Sequence, residues 1–127
     1  MSKLTAEQHE MLERYDELLS TISEGLKYLE DHMKTEETPM AKQVFQDVLL
    51  SLEQISRSHD QMEVLFKGNE DLQTLVLDFH GIVNGLQGWF EHDTAQEKHC
   101  LLVEHVLPAF ESWRTRMEAF VKPYIAH

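Results

Sequence analysis

The chain carries eight histidines, and imidazole both binds metals and moves protons near neutral pH. A di-iron helical bundle uses Glu-x-x-His on two helices, a spacing that turns both ligands inward at one level. No histidine here has Asp or Glu three residues before it, and no His-x-x-x-His pair exists. His9/Glu13, His32/Glu36 and His59/Glu63 do have a glutamate four residues on, which is equally the spacing of an ordinary helix-surface pair. His59 differs from the rest. It sits between Ile55 and Met62 on an apolar seam and is expected to point inward, level with Tyr15 and His80. Two readings stay open for this small polar cluster. In one, His59 is a neutral core histidine bonded to Tyr15 or to a backbone carbonyl, because buried polar groups need partners. In the other it is a ligand centre for a metal or small molecule. The spacing assigns no metal ligand set and no cofactor.

Catalytic patterns are missing as well. There is no glycine-rich phosphate loop and no nucleophile elbow, and no Arg is followed four to six residues later by His, the spacing of a helical ribonuclease family. Cys100, the single cysteine, has no nucleophile signature, cannot form an internal disulfide and lacks neighbours for a zinc site; a buried thiol is expected. The reading is therefore non-enzymatic.

The most unusual local feature is a run of glycines. Gly81, Gly85 and Gly88 are spaced by four and three, so on a helix they share one face, turned away from the stripe of Phe79, Ile82, Val83 and Leu86. Each glycine inside a helix costs about 1 kcal/mol relative to alanine, which nothing in the core demands. Leu77 shares that face and Trp89 and Phe90 follow directly, so the face is a candidate track for a second helix. The competing expectation is a helix broken after Leu86, with Trp89 and Phe90 folded back as a plug.

The elements that would position these residues are helices. Thr5-Ala6-Glu7-Gln8 is a capping box, opening a helix over about 5–34 with an apolar stripe from Met11 and Leu12 through Tyr15 and Ile22 to Met33. Thr38-Pro39 opens a second, with Thr as cap and Pro at the first helical position, running to about 67 through Phe45, Val48, Leu52, Ile55, His59, Met62 and Phe66. Gly68 ends it and Asn69 caps a third, 70–90. Thr94-Ala95-Gln96-Glu97 opens a fourth, 95–123, whose apolar residues include Val103, Val106, Phe110, Trp113, Met117 and Val121; Pro108 is expected to bend it. The connections are short, so the expected fold is all-α, an antiparallel up-down-up-down four-helix bundle forming a single domain over 1–127.

Composition agrees with a packed helical domain: 127 residues, 42% hydrophobic, 27% charged, five Gly and three Pro. A formal net charge of -12 repels phosphate backbones and anionic lipid unless cations cluster. Lys3, Arg14, Lys27, Lys34, Lys42, Arg57, Lys67 and Lys98 are scattered, and only Arg114, Arg116 and Lys122 lie near one another. Nucleic acid and membrane are thus not expected partners. The acids are read as solvated outer faces, or as an acidic surface that steers a basic partner. Met1 to Glu10 has no apolar core of a signal peptide, and no apolar run approaches the ~20 residues that cross a bilayer, so a cytoplasmic protein is expected.

In size, acidity and helical pattern the chain resembles small all-helical bacterial proteins of unknown function, and it is similar in size and charge to secretion and flagellar export chaperones. The likeness implies no site residues; the leading expectation is a non-enzymatic interaction module, a homodimer or a small adaptor or chaperone, that uses the outer face of the third helix. The alternative is a metal- or small-ligand-binding bundle centred on His59.

Overall fold

The structure, a computed structural model, describes residues 4–125; Lys3, His127 and the first residues of the amino-terminal stretch considered above lie outside them. Helix α1 spans Ala6–His32, α2 Pro39–Leu65 and α3 Glu70–Leu86. A 3-10 turn, Gln87–Glu91, follows. The last helical stretch comprises α4, Ala95–Leu101, a π turn, Leu102–Val106, and α5, Leu107–Ile125. The described residues contain no strand.

The helix starts are set by local chemistry. Thr5 accepts from the Gln8 N–H at 3.1 Å while the Thr5 N–H donates to the Gln8 side chain at 2.9 Å, which satisfies two otherwise orphaned donors. Thr38 caps α2 through the Ala41 N–H, Asn69 caps α3 through the Leu72 N–H, and Thr94 caps α4 through the Glu97 N–H. Gly68, at φ 82°, takes the left-handed conformation that stops α2 without a Cβ clash.

The core is built from the apolar stripes. Leu12, Tyr15, Leu19, Ile22, Leu26 and Leu29 of α1 and Phe45, Val48, Leu52, Ile55 and Met62 of α2 are all buried, with Leu72, Phe79, Trp113 and Met117 among their neighbours. Trp113 anchors α5 to α3 by donating its indole N–H to the Leu75 carbonyl at 2.8 Å. A polar seam joins α1 to the last helical stretch. Buried Ser23 donates to Glu111, Arg114 donates to Ser20 at 3.1 Å, and His99 Nε2 bonds the Glu30 carbonyl at 2.9 Å.

Three sequence expectations are corrected here: the end of the third helix, the inward place of Val103 and the burial of Cys100. The third α-helix ends at Leu86, where the alternative expectation breaks it, rather than near 90, and the 3-10 turn that follows folds Trp89 back into the core but leaves Phe90 exposed. At Pro108 the helix answers with a π turn one step earlier, in which the Leu107 N–H bonds the Leu102 carbonyl. Proline has no N–H and crowds the carbonyl four residues back, so widening the preceding turn relieves both defects. The same turn places Leu102 fully inside, while Val103 is only half-buried. Cys100 is exposed rather than buried, because it lies on the outer side of α4, and a hydrogen bond to Glu104 raises its thiol pKa.

Candidate functional site

Tyr15 and His59 are brought together. Both are buried, and the Tyr15 hydroxyl shares a 2.6 Å hydrogen bond with His59 Nε2. His59 is 1% exposed and is enclosed by aromatic edges, with Phe79 at 4.8 Å and 89° and Trp113 at 5.9 Å between ring centroids. Burial, reinforced by the nearby His80, lowers its pKa to about 4. Burial also raises the Tyr15 pKa well above its usual value. The pair is therefore neutral at pH 7, and His59 Nδ1 has no hydrogen-bond partner.

His80 does not join this cluster; it is exposed on the outer side of α3. Adjacent helical residues point about 100 degrees apart, and Phe79 takes the inward position. Among the described residues no three His, Cys, Asp or Glu side chains converge on a point where a metal could sit. Of the two ring nitrogens of His59, Nε2 is held by Tyr15.

The glycine face is divided. Gly81 and Gly85 are exposed, and a Cβ at either would meet nothing within 4 Å. Leu77 beside them is 68% exposed. Gly88, carried into the 3-10 turn, turns instead toward Leu101, whose Cδ2 lies 3.5 Å from where a Cβ would be. Trp89 is 2% exposed and stacks on Phe45 at 4.2 Å and 7°, with the Lys98 ammonium 5.8 Å from its ring. It is a core residue and not part of any surface. Phe90, 64% exposed, touches Phe45 only by its edge, at 5.9 Å.

Phe90 leads to a feature that helix-face reasoning missed. Between α2 and α3 the structure leaves a groove of about 330 Å³. Its floor is Leu52, Phe79 and Leu86, all buried, and its sides are Leu49, Val83 and the exposed Phe90. Glu53, Ser56, His80, Asn84 and Gln87 form the rim. Phe79 contacts His59 on one side and the groove on the other, so it separates them. The surface signal was half-visible in the sequence: Val83 belongs to the inward stripe but lies at its edge, and only the spacing of α2 from α3 decides that it lines an opening.

Among the described residues no helix is long and apolar enough to cross a membrane. A family model described as "Domain of unknown function (DUF8042)" matches residues 10–116. No curated protein and no solved structure matches the chain.

Proposed function

Because the chain belongs to the DUF8042 domain family, whose function is unknown, we propose that it is a cytoplasmic, non-enzymatic protein-interaction module. Its docking face is the groove between α2 and α3 together with the open surface of α3. The scaffold in this reading is an antiparallel up-down-up-down four-helix bundle. Residue pairs across the helices support it: Tyr15–His59 and Gly25–Val48 run in opposite senses along α1 and α2. Phe45–Trp89 and His59–Phe79 do the same for α2 and the third helical stretch, as do Gly88–Leu101 and Leu75–Trp113 for the third and last.

The observation that carries the function is the groove itself, an apolar channel with a 64% exposed phenylalanine at its lip. On the outer face of α3, Leu77 is exposed and a Cβ at Gly81 or Gly85 would meet nothing within 4 Å. A photo-crosslinking side chain at Gln87, on the rim, tests it against the same group at Lys27, exposed on α1. In cells, a discrete protein adduct forms from position 87 and is lost with Phe90→Asp. Equal labelling from both positions, or none from 87, removes the face.

The reading of a metal- or ligand-binding bundle centred on His59 has less support, since Tyr15 occupies Nε2 and Phe79 closes the pair off from the groove.

A further inference from the structure

We propose that the occupant of this groove is a single amphipathic helix of another protein, apolar along one stripe and cationic along its flanks. The inference rests on the interaction reading above and adds the partner's chemistry.

Shape is the first argument. The opening is bounded by two helices, with Leu49 to Ser56 on one side and Phe79 to Phe90 on the other. At 1.5 Å per residue the α2 side spans about 10 Å, the reach of anchors at i, i+4 and i+7 on a docked helix. Its volume of about 330 Å³ is roughly twice that of a 150 Å³ cavity that holds one benzene, so it takes about two large apolar side chains. Leu52, Phe79 and Leu86 meet their tips, and Phe90 folds over the flank.

Charge is the second. No lysine or arginine lines the groove, and the one carboxylate on its rim is Glu53, with the His80 imidazole also on the rim. Glu53 pairs with Arg57 at 2.6 Å, but both side chains are exposed. Such a surface pair contributes little and yields readily to an arriving lysine or arginine. A second copy of this chain is the wrong occupant electrostatically, because each copy carries a net charge of -12 and like-charged surfaces oppose association. A helix with lysines flanking its apolar stripe is drawn in by the same field.

The test uses three synthetic helical peptides read by fluorescence anisotropy against the full chain: a leucine/phenylalanine stripe flanked by lysines, the same stripe flanked by glutamates, and a scrambled lysine peptide without a stripe. The lysine-flanked stripe binds at least about tenfold more tightly than either control, with affinity falling as salt rises. Glu53→Lys weakens that peptide severalfold, and Phe90→Asp weakens it further, while circular dichroism of both exposed-site variants stays that of the parent. Equal binding of the lysine and glutamate stripes, or no effect of Glu53→Lys, overturns the cationic partner and leaves the apolar face standing. No peptide binding, combined with a dimer in light scattering that Phe90→Asp splits, also overturns it in favour of a second copy. No peptide binding and a monomer at every concentration overturns this partner and counts against the interaction reading too.

Discussion

On its α1 side, α2 is packed so closely that a Cβ added at Gly25 would lie 2.7 Å from Val48 Cγ2, and Tyr15 crosses to bond His59 at 2.6 Å. On its α3 side the same helix leaves a groove of about 330 Å³, and the glycines of α3 face empty space. Glycine has opposite meanings on α1 and on the outer face of α3. At Gly25 the missing side chain permits close approach of two helices. At Gly81 and Gly85 it sacrifices helix stability with no contact within the chain in return. A close seam is what folding alone requires; the open one is the face on which the proposed interaction rests.

The largest expected effect concerns His59, which belongs to both seams. Its folded pKa of about 4 lies below the ordinary 6.5, so the unfolded chain takes up the proton first. The stability it contributes is complete above pH 6.5 and is lost as pH falls toward 4, amounting to about 3 kcal/mol at the end of that window. Urea unfolding at pH 7 and pH 5 shows about 2 kcal/mol of this loss, and His59→Leu removes that part of the slope. An unchanged slope would mean that the α1 seam does not hold the imidazole neutral.

Gly25→Leu comes next. Val48 is short and buried and cannot swing away, so the variant loses about 2 kcal/mol as an overpacked core does, measured by its urea midpoint. A neutral result would make the two seams alike. Tyr15→Phe leaves His59 Nε2 buried and unpartnered, with a loss of about 1–2 kcal/mol in the same assay.

The open seam responds with smaller effects and the opposite sign. Gly81→Ala and Gly85→Ala each stabilise by roughly 1 kcal/mol, since only helix propensity changes. Gly85→Leu keeps helicity by circular dichroism but weakens association with the partner protein captured from position 87. Association unchanged by Gly85→Leu in sedimentation would confine the interface to the groove.

Much of this was legible without coordinates. Thr5, Thr38, Asn69 and Thr94 begin helices through bonds made within three residues, so the starts follow from local chemistry. The inward residues of α1 and α2, His59 included, follow from a spacing of threes and fours. Errors accumulated where the chain departs from that period. The π turn before Pro108 brought Leu102 inside, and the 3-10 turn after Leu86 carried Trp89 into the core and Gly88 toward Leu101.

By itself, then, the sequence determined the all-helical character, the helix starts, the acidic surface and the pairing of His59 with an inward seam, because each depends on residues a turn or two apart. Only the tertiary structure decided that His80 lies outside, that Cys100 is exposed, and that α2 stands close to α1 but apart from α3. Those outcomes depend on how side chains from distant segments fill the space between helices, a volume condition that no one-dimensional period contains.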